Sequence, residues 1–116
     1  MYLGTIMELG IALADLVEDQ SDWSQKTFGS DAERGPLGVV RHLEKEAREA
    51  QAAIDSQDAF REEMADCLLL VLDAARRGKI KVMQLIKAAQ AKMKINKSRT
   101  WPKPTSDEPV EHVRQI

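Results

Sequence analysis

Apolar residues in this chain recur at steps of three and four, and the alternation of a half-buried strand is almost absent. No other feature of the sequence constrains the fold as much, because a stripe of that period lies along one side of a helix. Four helices are expected. The first spans about 3–19, with Leu3, Met7, Gly10, Ala14 and Val17 as its stripe. A polar stretch from Asp19 to Gly35 follows, holding Trp23, Phe28, Gly29 and Gly35. It is longer than an ordinary helix connection, and loops of that length in small domains tend to carry function. A second helix starts at Pro36, whose missing N–H costs nothing at a first helical position, and buries Val40, Leu43, Ala47, Ala50 and Ile54. After a break near Asp55-Ser56-Gln57, with Ser56 or Asp58 as the cap, a third helix runs over about 58–77.

The third helix buries Phe60, Met64, Cys67, Leu68, Val71 and Leu72, adds Leu69 and Leu70 on further sides, and stops at Arg76-Arg77-Gly78. A fourth, about 79–95, uses Val82, Leu85, Ile86, Ala89 and Met93. Pro102, Pro104 and Pro109 then make residues from about 100 to 116 an extended tail. The expected fold is all-α: a four-helix bundle forming one domain over 1–116, with a long loop after the first helix and a C-terminal tail.

At 116 residues, with 43% hydrophobic and 31% charged side chains, the chain has the composition of an ordinary globular domain. A net charge of -2 argues against a duplex nucleic-acid partner, which calls for a basic face. The lone Cys67 sits in the apolar run Cys67-Leu68-Leu69-Leu70-Val71-Leu72, cannot form an internal disulfide, and fits a reducing compartment. The start Met1-Tyr2-Leu3-Gly4 has no basic leader, and no apolar stretch approaches the roughly 20 residues of a membrane span. A cytoplasmic protein without a membrane partner is expected. The apolar surface at 68–72 and the small residues Gly10 and Ala14 exceed what four helices cover among themselves, so a homo-oligomer, dimer or tetramer, is expected as well.

The chemistry concentrates in carboxylates. Glu46 and Glu49 are three residues apart on the second helix, and Glu63 and Asp66 repeat that spacing on the third. In an antiparallel hairpin turning near 56–57, Glu49 lies level with Glu63 and Glu46 with Asp66, to within about 1–2 Å of rise. Four like charges in one groove repel unless cations or protons bind among them. An all-oxygen ligand set selects a hard ion, Mg²⁺ or Mn²⁺, over zinc, and Mg²⁺ so held commonly completes its shell with water and substrate phosphate. The alternative is a solvated face dressed by the pairs Glu44–Arg48 and Lys45–Glu49.

Glu46-Ala47-Arg48-Glu49 followed by Glu63-Met64-Ala65-Asp66 resembles the Glu-x-x-Glu…Glu-x-x-Asp signature of the all-α nucleoside triphosphate pyrophosphohydrolases, the MazG-like superfamily. The further Glu that precedes the first motif in many members is Lys45 here. Lys92-x-x-x-Asn96-x-x-Arg99-x-Trp101-Pro102 is similar to the superfamily's phosphate-binding segment. Trp23-x-x-x-x-Phe28-Gly29, Gly35-Pro36-Leu37, His42-Leu43-x-Lys45-Glu46 and Asp107-Glu108-Pro109-Val110 resemble the dATP/dGTP diphosphohydrolase branch, which includes phage enzymes of the MazZ type.

The resemblance implies Mg²⁺- or Mn²⁺-dependent hydrolysis of a purine deoxynucleoside triphosphate, dGTP favoured and dATP possible, to the monophosphate and pyrophosphate. It implies Glu46, Glu49, Glu63 and Asp66 as metal-holding catalytic residues, without saying which carboxylate is the general base. It also implies Lys92, Asn96 and Arg99 as phosphate and nucleotide ligands, and a bacterial or phage-infected host cytoplasm. Trp23 and Phe28 are candidates to stack on the base, or else plain loop anchors. His42 reads as structural, Asp73 as solvated or salt-bridged, and the Trp101 tail as packing on a helix or subunit. The rival readings are a non-catalytic helical interaction module and a divalent-ion-binding protein.

Overall fold

The computed structural model describes residues 3–114 and contains four helices: α1 Leu3–Phe28, α2 Leu37–Ala52, α3 Gln57–Arg77 and α4 Val82–Ser98. No β-strand occurs among the described residues, apart from a single bridge pairing Thr100 with Val113. The chain divides into two compact units, one up to Val82 and one from Met83 onward.

The largest difference from the expected boundaries is in α1. It runs through Asp19 and on to Phe28, so Trp23 and Phe28 stand on a helix and the loop shrinks to residues 29–36. The polar run Asp19–Thr27 contains no glycine or proline to break a helix, and Gly29 is the first residue able to adopt a positive φ, 107°, that ends it. Its stripe is also rotated. Met7, Gly10 and Ala14 are exposed, Val17 is half-buried, and the side chain of Leu3 lies outside the described residues. The side of α1 turned inward carries Leu13, Leu16, Gln20 and Ser24, and the last two are buried.

α2 and α3 form the central hairpin. Pro36 precedes the first turn of α2, where its lack of an N–H is harmless, and α2 ends as the Ala53 N–H bonds to Ala50 O at 3.1 Å. Ser56 caps α3 by accepting the Ala59 N–H at 3.3 Å, and Asp58 sits in the first turn, where a negative charge suits the helix dipole. The buried apolar positions are Val39 and Ala50 on α2 and Leu72 on α3; Val40, Ile54, Met64, Leu68 and Val71 are exposed.

α3 stops at Gly78, but the left-handed residue is the next one, Lys79, with φ 68°. There the Lys79 N–H bonds to Arg76 O and the Ile80 N–H to Ala75 O, both at 2.9 Å. A side chain at that φ costs about 1 kcal/mol that glycine does not incur. Lys79→Gly is therefore expected to raise stability by about 0.5–1 kcal/mol, measured by urea denaturation; a fall would show that the lysine side chain contributes more than the backbone strain costs.

In the second unit, α4 has no buried residue. The following segment doubles back rather than continuing straight. The Val113 N–H bonds to Thr100 O at 2.6 Å, the Trp101 indole donates to Asn96 O at 2.7 Å, and the Trp101 and His112 rings meet edge-on at 5.7 Å. Gln115 and Ile116, the end of the expected tail, lie outside the described residues.

Candidate metal centre and adjoining cavity

The hairpin delivers the predicted convergence for three of the four carboxylates. Glu46 from α2 and Glu63 and Asp66 from α3 each offer an oxygen, and those oxygens lie within 4.8 Å of one another. Glu49 stands outside this trio. Its side chain is 46% exposed and lies 4.0 Å from Lys45. The rotation of α2 about its axis is set by packing, and it leaves Glu49 at the margin of the cluster, hydrogen-bonded to Glu46.

Glu46 Oε2 and Glu63 Oε2 are buried without a hydrogen-bond partner. Such oxygens are costly to leave bare, and a hard divalent cation is the partner this donor set fits. The titration pattern carries the same strain. A hydrogen bond with Glu49 is the main reason the Glu46 carboxyl ionises more readily than usual, with His42, 3.1 Å from its Oε1, adding to it. Glu49 is pushed up, first by that hydrogen bond to Glu46 and then by its charge. Glu63 is pushed up by burial first, then by Glu46, Glu49 and Asp66. Burial raises the Cys67 thiol too, helped by the charges of Glu46, Asp66 and Glu63. The cluster is thus short of positive charge.

Beside the carboxylates lies a cavity of about 520 Å³, lined by residues of α1, α2, α3 and the α1–α2 loop, including Glu46, Asp66, Trp23 and Phe28. That volume suits a nucleoside. Trp23 and Phe28 meet edge-on, with centroids 5.3 Å apart and planes at 89°, and both remain about half exposed. A ring pair so arranged leaves aromatic surface free to contact a guest.

The sequence reading passed over the cavity's other wall. Gln20, Ser24, Asp73 and Arg77 are the buried polar side chains among the described residues. Asp73 accepts from Arg76 Nη2 at 2.6 Å and from Arg77 Nε at 3.3 Å. Arg76 also reaches Asp31 at 2.9 Å and Gln20 Oε1 at 2.7 Å. Burial alone would raise the Asp73 carboxyl, but hydrogen bonds from Gln20, Arg76 and Ser24 and the charge of Arg77 outweigh it and hold the carboxyl low. Asp73 is therefore salt-bridged, the expectation it was given, but buried. A signal was present: Asp73 interrupts the apolar run from Leu68 to Ala75, where unpaired charge would not be tolerated, and Arg76 and Arg77 follow it at helical spacing.

Lys92, Asn96 and Arg99 belong to the second unit. Lys92 and Asn96 are one helical turn apart on α4, and Arg99 follows the last residue of the helix, its N–H bonded to Asn96 O at 3.2 Å. Lys92 is exposed, while Asn96 and Arg99 are half-buried.

Comparison with known proteins matches this arrangement. The sequence pattern of the dATP/dGTP pyrophosphohydrolase family covers residues 16–116. The Eaa protein of Salmonella phage P22 is 41% identical over 97 residues, which are 84% of this chain and 28% of that protein. This chain thus spans under a third of that relative. A MazG-like pyrophosphohydrolase from cyanophage S-2L, solved bound to dGDP and three catalytic Mn²⁺ ions per active site, shares the fold at a TM-score of 0.62 and 26% identity, over 87% of this chain and 96% of that one. Four helices, an acidic cluster across the central hairpin and a family match over nearly the whole length agree: the chain belongs to the dATP/dGTP pyrophosphohydrolase family.

Proposed function

We propose that the chain is a Mg²⁺- or Mn²⁺-dependent hydrolase that converts a purine deoxynucleoside triphosphate, dGTP in preference to dATP, to the monophosphate and pyrophosphate. The observation that carries this reading is the trio Glu46, Glu63 and Asp66, with two buried unpartnered oxygens, at the edge of a nucleoside-sized cavity bearing Trp23 and Phe28. Family membership and the dGDP and Mn²⁺ held by the cyanophage structure support it.

Glu46, Glu63 and Asp66 would hold the divalent ions, with Glu49 at their margin. Bound there, the ions supply positive charge that offsets charge building on the phosphates. Water bonds to the α-phosphorus as the bond to the α–β bridging oxygen breaks, and a carboxylate outside the tight trio takes the water's proton. Glu49 meets that description. Trp23 and Phe28 would contact the base. Lys92, Asn96 and Arg99 would bind the phosphates.

The test is a panel of the four deoxynucleoside triphosphates with Mg²⁺ or Mn²⁺, scoring monophosphate, pyrophosphate and orthophosphate separately. Pyrophosphate from dGTP or dATP is expected. No product together with a melting temperature that rises with Mn²⁺ would leave an ion-binding protein instead, and orthophosphate without pyrophosphate would be phosphatase chemistry, which overturns cleavage between the α and β phosphates.

For the phosphate residues, Arg99→Lys is expected to cut kcat/KM by about tenfold despite the conserved charge, because a fork becomes a point contact. Unchanged kinetics in Arg99→Ala and Lys92→Ala would remove the segment from the site. Assembly belongs to the same proposal. Ile6, Met7, Leu9 and Ile11 in the first turns of α1 are 49–65% exposed, which suits contact with a second copy of the chain in a closed dimer or tetramer. Sedimentation at micromolar concentration should show a species heavier than 13.0 kDa; a fully active monomer would overturn it. Among the described residues no helix is long and apolar enough to cross a membrane, and the phage relative fits action in an infected host's cytoplasm.

A further inference from the structure

We infer that Ser24, Asp73 and Arg77 are positioning residues for the nucleoside, because their buried network fixes the end of α1 that carries Trp23 and Phe28. The inference rests on the proposed function and adds to it residues that neither the metal site nor the base contacts include.

The argument starts from a helix end. The last carbonyls of a helix lack intrahelical donors and need others. At the end of α1 the Gly29 N–H serves Gln25 O at 3.2 Å and Arg34 Nη1 serves Phe28 O at 3.4 Å, while one side chain of α3 grips the backbone on either side of those carbonyls. Arg77, only 3% exposed, donates to Ser24 O at 3.3 Å, Gly29 O at 3.0 Å, Ser30 O at 3.4 Å and Ser24 Oγ at 2.9 Å. A guanidinium can serve several carbonyls because its donors are fixed in a planar fork. Asp73 holds that fork in place from the preceding turn of α3, and Arg76 and Asp31 tie the same turn from outside.

The clamp brackets the aromatic pair. Ser24 follows Trp23, and Gly29 follows Phe28. Where these backbone atoms are held decides where both rings stand along the cavity wall. Arg77, Asp73 and Ser24 also line that cavity themselves. They are not free to bind the guest: both carboxylate oxygens of Asp73 accept protein donors, and the Ser24 hydroxyl is bonded to Arg77. Their role is to keep a rigid floor beneath the rings, so that the base meets a wall already in position.

The test separates this role from plain stability. Ser24→Ala removes only the hydroxyl, and Asp73→Asn keeps the shape while removing the charge. Both are assayed at a temperature where circular dichroism reports a folded protein. The readouts are KM and kcat for dGTP, and calorimetric binding of dGMP and of inorganic pyrophosphate, each with Mn²⁺. KM is expected to rise by about tenfold, more than kcat falls, with dGMP binding weakened in parallel. Pyrophosphate should bind as it does to the unaltered chain. A lowered melting temperature with unchanged KM and dGMP affinity would make the network merely structural and overturn the inference. Equal weakening of dGMP and pyrophosphate would also overturn it, since the effect would not be confined to the aromatic wall. An unaltered chain that releases no pyrophosphate would instead defeat the proposed function, a result visible before any variant is made.

Discussion

Glu63→Gln is expected to lower turnover about 10²–10³-fold while raising the melting temperature of the metal-free protein. Loss of one strategically placed charge-stabilising group in an active site has effects of that order, and Glu63 contributes one of three converging oxygens. The stability change has the opposite sign for a definite reason. Burial, then the neighbouring Glu46, Glu49 and Asp66, raise the Glu63 carboxyl above its usual range. A raised folded-state pKa means that the folded chain holds this proton more tightly than the unfolded chain. Its stabilising share is therefore present at low pH and lost as pH rises through the folded value. At neutral pH the metal-free protein bears that repulsion, and a neutral amide removes it. Thermal melts of both proteins across pH 4–8 and across Mn²⁺ concentrations would check this. The variant should show a flatter response to pH and to metal. Clear activity at saturating Mg²⁺ would remove Glu63 from the site.

Asp73→Ala is expected to cost about 3–5 kcal/mol of stability, as loss of one partner from a buried ion pair generally does. It would strand Arg77, whose side chain is 1% exposed, and deprive Arg76 of its 2.6 Å contact. Of a total stability of about 5–15 kcal/mol for a domain this size, that is a large share. The pH signature is also fixed. Asp73 has a folded pKa below its unfolded one, so its contribution is complete above about 3.9 and disappears as pH falls through the folded value. Below that range Asp73→Ala and the unaltered chain should converge in urea stability. A cost under about 1 kcal/mol at neutral pH would put the pair in the class of surface ion pairs, and the clamp on α1 would carry little weight.

These two residues mark the two kinds of information in the chain. Glu46, Glu63 and Asp66 were legible because helical spacing and a short turn are local: two helices joined by residues 53–56 must lie antiparallel, and side chains equally far from the turn must come level. Glu49 missed the trio because level is not the same as facing. Rotation about the helix axis is set by packing, and the packing buries Ala50 as expected but turns Val39 inward and leaves Val40 and Ile54 exposed.

The length of α1 was misread for a related reason. Low hydrophobicity from Asp19 to Thr27 looks like loop when helices are expected to bury apolar stripes, but this part of α1 buries Gln20 and Ser24 against the arginines of α3. Those partners lie 53 and 56 positions away, and no local pattern announces a buried polar contact over such a distance. The amino-acid sequence by itself determined four helices, the capped hairpin and the acidic chemistry at its centre, since each depends on neighbours a few residues apart. Only the tertiary structure decided which faces meet, that a charged network fastens the end of α1, and that Trp23 and Phe28 border a cavity beside the carboxylates, because those follow from desolvation and hydrogen bonding between segments distant in the chain.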